Sequence, residues 1–67
     1  MNIGEVIKKE RKKKHLTQEK LAKQLNMSRN YLSDIENGRY NPSIKLLEKI
    51  VEVLECEIKV ERKNWKI

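Results

Sequence analysis

Residues 18–38, QEKLAKQLNMSRNYLSDIENG, carry two short apolar stripes separated by a polar break. No other feature of the chain restricts the fold as strongly. Leu21, Ala22 and Leu25 recur at the spacing of one helix face, and Thr17 stands ahead of them as an N-cap, so a helix is expected over 18–25. Asn26 falls where the turn needs a left-handed residue, a conformation asparagine tolerates better than most. Ser28 is placed to cap a second helix over 29–37, whose inner face holds Leu32 and Ile35 and which Asn37-Gly38 stops. Helices this short do not persist alone in water, so the two must pack against each other. The second helix then leaves Arg29, Asn30, Ser33 and Asp34 on the face opposite its apolar side.

The flanking sequence supplies further helices. A first one is expected over 3–14, with Ile3, Val6, Ile7 and the stem of Arg11 facing inward. Pro42-Ser43 opens a fourth, with Ile44, Leu47, Ile50, Val51 and Leu54 inward. Residues 1–54 thus read as a compact, mainly α, four-helix head. Residues 55–67 form a tail of different character. Its start, ECEIKVE, alternates strictly, with Cys56, Ile58 and Val60 on one side, which is the period of a strand. Continued helix is the competitor, because Leu54 and Ile58 are four apart, as are Cys56 and Val60. A lone strand needs a mate, and the simplest is its own copy paired antiparallel across a two-fold axis. The expected dimer interface is Val51, Leu54, Cys56, Ile58 and Val60.

Composition narrows the partners. A chain of 67 residues is one small domain, and it buries only about 60% of its unfolded surface on folding, so it needs support. One cysteine and one histidine exclude an internal disulfide and leave no zinc set, which points to a homodimer as that support. The unpaired Cys56 and the lack of a signal peptide fit a reducing, cytoplasmic setting, and no apolar run reaches the roughly 20 residues of a membrane span. Nothing assembles a nucleophile, a base and an oxyanion site, so no catalytic residue, metal or cofactor is expected and the chain does not read as an enzyme. Net charge is +6, with Lys8, Lys9, Arg11, Lys12, Lys13 and Lys14 in one run. Such a run is first a solvated helix face, but the positive field also attracts polyanions. The aromatic platform of single-strand RNA readers is missing.

A helix packed by one face and polar on the other can enter the DNA major groove and read base edges. The order of motifs makes that reading specific: Arg11 in the first helix, then Leu16-Thr17-Gln18, Leu21-Ala22, Ser28, Tyr31-Leu32, Ile35-Glu36-Asn37-Gly38 and Asn41-Pro42-Ser43. In this series the chain resembles the Xre family of helix-turn-helix regulators, also called lambda-repressor-like or Cro/cI-type, over about residues 3–54, most of the chain. The resemblance implies base contacts from Ser28, Arg29 and Asn30, with Ser33 and Asp34 one turn further along. Arg29 suits guanine and Asn30 adenine, each by two parallel hydrogen bonds. Asp34 could accept from cytosine, support Arg29, or do neither. Phosphate contacts are implied for Gln18 and for Asn37, Arg39 and Tyr40 in the following loop, with Tyr31 between core edge and backbone. Arg11 and Glu36 resemble the family's structural ion pair. His15 stands where the family usually has glycine, and Glu10 where it commonly has leucine.

The expected function is sequence-specific, double-stranded DNA-binding transcription regulation, as a repressor on a palindromic operator. A strand after the fourth helix resembles the layout of HipB-like antitoxins of that family. A second reading is therefore an antitoxin-like protein that neutralises a partner toxin and regulates its own operon, with Trp65 in the tail either covering the dimer seam or anchoring the protein partner. A restriction–modification controller protein is a third.

Overall fold

The computed structural model describes residues 2–55, which form four helices: α1 (Ile3–Lys13), α2 (Gln18–Gln24), α3 (Arg29–Glu36) and α4 (Ile44–Leu54). The tail strand, its pairing and Trp65 lie outside the described residues. Each helix opens on a side-chain oxygen that satisfies an otherwise orphaned backbone donor. Asn2 accepts from the Glu5 N–H at 2.9 Å, while Thr17, Ser28 and Ser43 accept from Lys20, Tyr31 and Leu46, each at 3.1 Å. The expected helices over 3–14, 18–25 and 29–37 each end one residue earlier, because Lys14, Leu25 and Asn37 are C-caps with ψ near zero.

Left-handed residues break the chain between helices. His15 (φ 58°) and Asn26 (φ 59°) occur as single turns after α1 and α2, and Gly38 (φ 81°) follows α3. The α1–α2 turn therefore closes with histidine in a conformation that costs a side chain some strain.

Ile7, Leu21, Ala22, Leu25, Leu32, Ile35, Ile50, Val51 and Leu54 form one core, with Ile3, Leu16, Met27 and Leu47 packed at its edge. Ala22 is buried where α2 and α3 meet, and its carbonyl accepts from the Met27 N–H at 2.9 Å across the turn. One inward assignment fails: Ile44 is 75% exposed. Burial grades along α4, from exposed Ile44 through half-buried Leu46 and Leu47 to buried Ile50, Val51 and Leu54. The stripe is continuous in sequence, but the first turn of α4 extends beyond the packed interior. Val51 and Leu54 lie inside the head's own core, at 5% and 1% exposure, so they offer almost no free surface to a second copy.

Glycine matters most at Gly4, in the first turn of α1. A Cβ there would collide with the Ile35 carbonyl oxygen and lie 2.8 Å from that of Glu36, both backbone atoms. Only glycine lets α1 approach the end of α3 this closely.

Candidate nucleic-acid interface

Leu32 and Ile35 are both fully buried, and they fix the rotation of α3 about its axis. With that face inward, Arg29, Asn30 and Tyr31 in the first turn are exposed, and Ser33 and Asp34 are half-buried beside them. Ser28 is also exposed and holds the helix start through the Tyr31 N–H. Lys20, Lys23 and Glu19 of α2 join Arg29 around an open depression of about 630 Å³ also lined by Ala22 and Met27. Cations from both helices thus border one shallow surface.

Behind that surface, Arg11 and Glu36 meet in the interior. The guanidinium donates from Nε to Oε2 at 2.7 Å and from Nη2 to Oε1 at 3.1 Å, the bidentate geometry that suits arginine and carboxylate. Its Nη1 donates to the Leu16 carbonyl at 2.7 Å, fastening the turn between α1 and α2. Gln18 adds its amide Nε2 to Glu36 Oε1 at 3.0 Å. One carboxylate at the end of α3 therefore ties together α1, the first turn of α2 and α3. The Gln18 side chain is turned toward this buried pair, so one of its two amide hydrogens is engaged within the protein, while the other and the carbonyl oxygen are uncommitted. No buried side-chain nitrogen or oxygen among the described residues lacks a partner.

The loop after α3 gathers the remaining candidates. Asn37 Nδ2 approaches Ser33 Oγ at 3.4 Å, joining the loop to the outer face of α3. Arg39 Nη1 donates to Asp34 Oδ1 at 3.0 Å, so the carboxylate supports Arg39 and not Arg29. Tyr31 and Tyr40 pack as a tilted pair with ring centroids 5.9 Å apart. The structure thus brings Ser28, Arg29, Asn30, Tyr31, Ser33, Asp34, Asn37, Arg39 and Tyr40 onto one continuous surface. Glu10 is half-buried on α1, and its carboxylate lies 3.6 Å from Lys13 Nζ. Two positions that shape this surface escaped the sequence reading: Asn2 as cap of α1 and Gly4 against α3. A glycine on the inner face of an amphipathic helix was the available signal.

A capped helix packed across a second, with its outer face polar and exposed, defines a helix-turn-helix domain. The chain belongs to the helix-turn-helix family (HTH_3, the Xre or lambda-repressor-like group), whose model matches residues 7–60. It is 53% identical over 58 residues to the ImmF control region 10 kDa protein of Bacillus phage phi105, covering 87% of this chain and 64% of that protein. It is 47% identical over 58 residues to the immunity repressor protein of the same phage, covering 87% of this chain and 40% of the repressor. Control protein C.MunI of a Mycoplasma species is 47% identical over 51 residues, 75% of this chain and 69% of that protein. The chain spans less than two thirds of the length of both phage relatives. No solved structure matches it.

Proposed function

We propose that this chain is a sequence-specific, double-stranded DNA-binding transcriptional regulator, acting as a repressor on a palindromic operator as a homodimer. The observation that carries the reading is the division of α3 into a fully buried face, Leu32 and Ile35, and an exposed first turn, Arg29 and Asn30. Helix-turn-helix proteins insert the second helix N-terminus first into the major groove, which is where these two side chains stand. Arg29 reads guanine, Asn30 reads adenine, and Ser28 and Ser33 add hydrogen bonds beside them. Asn37, Arg39 and Tyr40 hold the phosphate backbone past the end of α3, Gln18 does so from the first turn of α2, and Tyr31 from the first turn of α3. The name of the phage immunity repressor supports repression as the mode of action. The strict alternation of Cys56, Ile58 and Val60 supports a dimer.

A second reading has its own support. The likeness to control protein C.MunI favours a restriction–modification controller, which is a particular employment of the same DNA-reading surface.

Selecting duplexes from a random pool tests the proposal. The wild-type chain should enrich a two-fold symmetric sequence, and Arg29→Ala and Asn30→Ala should each cost about 1–3 kcal/mol and relax preference at one position of each half-site. Enrichment of no sequence, or unchanged preference in both variants, overturns it.

A further inference from the structure

The end of α3 is closed by a double turn. The Gly38 N–H donates to the Ile35 carbonyl at 3.1 Å, and the Arg39 N–H donates to the Asp34 carbonyl at 2.9 Å. With Gly38 left-handed, these bonds fold residue 39 back over the last turn of the helix. Closures of this kind usually lay an apolar side chain at that position onto the helix. Here the returning side chain is an arginine, and the residue beneath it is Asp34. Backbone and side chain agree: the Arg39 guanidinium donates from Nη1 to Asp34 Oδ1 at 3.0 Å.

Three consequences follow from that contact. The Arg39 side chain is 70% exposed and that of Asp34 only 30%, so the carboxylate anchors one corner of the fork and leaves its other donors without a protein partner among the described residues. An arginine free on the surface is spread over many rotamers, and the tether removes part of that freedom before any ligand arrives. A bare carboxylate on this face would repel phosphate, whereas the pair presents no net charge and a row of N–H groups.

We propose that Asp34 is a positioning residue: it aims Arg39 at a DNA phosphate beside the groove and does not itself read a base. This rests on the DNA-binding reading given above. The competing role, in which Asp34 accepts from cytosine, makes it a specificity residue with effects confined to one base pair.

The two roles separate in a double-mutant cycle with Asp34→Asn, Arg39→Gln and the double variant of the full chain. Binding is measured on the selected duplex, on its single-base-pair variants and on an unrelated duplex, at several salt concentrations. Asp34→Asn should weaken all duplexes by the same factor, roughly twofold to fivefold, the range an exposed pair's usual contribution corresponds to. It should leave base preference unchanged and have no further weakening effect once Arg39 is glutamine. A purely structural role would move the melting temperature without this non-additivity in binding. A changed preference at one base pair, tighter binding, or equal weakening in both backgrounds overturns the positioning role while leaving the DNA-binding reading intact. A wild-type chain that binds no duplex overturns both.

Discussion

Glu36 is a single carboxylate with 3% of its surface exposed, yet it accepts from Arg11 twice and from Gln18 once. Removing it strands a guanidinium that is itself 7% exposed and retains only the Leu16 carbonyl. An uncompensated buried charge of this sort costs on the order of 3–5 kcal/mol, whereas an exposed carboxylate such as Glu48 contributes little. Glu36→Ala should therefore melt far below Glu48→Ala in thermal denaturation followed by circular dichroism, and equal midpoints would refute the argument. Gly4 gives a sharper contest, because two effects oppose each other. Helix propensity alone favours alanine over glycine by about 1 kcal/mol. The added Cβ, however, meets the backbone oxygens of Ile35 and Glu36, which cannot rotate away as a side chain would. Sterics should win: Gly4→Ala should lower the melting midpoint, with a cost of about 1–3 kcal/mol typical of overpacking. The Arg11–Glu36 pairing was suggested by a family resemblance, since nothing in the spacing of two residues in separate helices requires them to meet. A glycine on the inner face of a helix marks Gly4 as a point of close approach, but how closely α1 crosses the end of α3 is a distance that no local pattern encodes.

At the scale of elements, α3 has eight residues and is held as a helix by its surroundings more than by its own propensity. Ser28 at one end and Gly38 at the other close it, and the buried Leu32 and Ile35 supply the packing. Ser28→Ala should cost about 1 kcal/mol, the usual contribution of a serine cap, and equilibrium unfolding in urea measures it. The same variant should weaken DNA binding beyond the loss of its own contact, because fraying at the first turn unsettles Arg29 and Asn30. Capping and apolar spacing are local signals, which is why the existence, order and near-limits of all four helices could be read from the sequence. Their fit against each other is not local. Ile44 continues the stripe of Leu47, Ile50, Val51 and Leu54 and yet stays exposed, because a stripe specifies direction around the helix axis and says nothing of where the neighbouring helices stop. Likewise, Asp34 belongs to the outer face by spacing, but its pairing with Arg39 depends on the backbone reversal at Gly38.

For the whole molecule, the question is how so small a reading surface acquires selectivity. A helix of eight residues is about 12 Å long at roughly 1.5 Å per residue, enough for a few base pairs only. A two-fold pair of such helices about 34–36 Å apart reads twice as many and selects for symmetry. Val51 and Leu54 have little surface left for the proposed dimer, since they are already buried within the head. Two aliphatic candidates are compared: Ile44, the most exposed large hydrophobic side chain of the described residues, and Ile58 in the alternating segment outside them. The sequence alternates so that Cys56, Ile58 and Val60 share one parity, whereas Ile44 is a single exposed aliphatic side chain, so the proposed dimer contact falls to the former. Ile58→Lys should then yield monomers in sedimentation equilibrium with helical content preserved, and its affinity for the palindrome should fall to that for an isolated half-site. Ile44→Lys should leave both mass and affinity unchanged. The salt dependence adds an independent check, because the slope of log K against log salt is about −0.9 per phosphate neutralised. A dimer engaging two half-sites should show nearly twice the slope of the Ile58→Lys monomer on one. Equal slopes, or a monomeric mass for Ile44→Lys in place of Ile58→Lys, would remove the tail from the assembly and place the two-fold axis on α4.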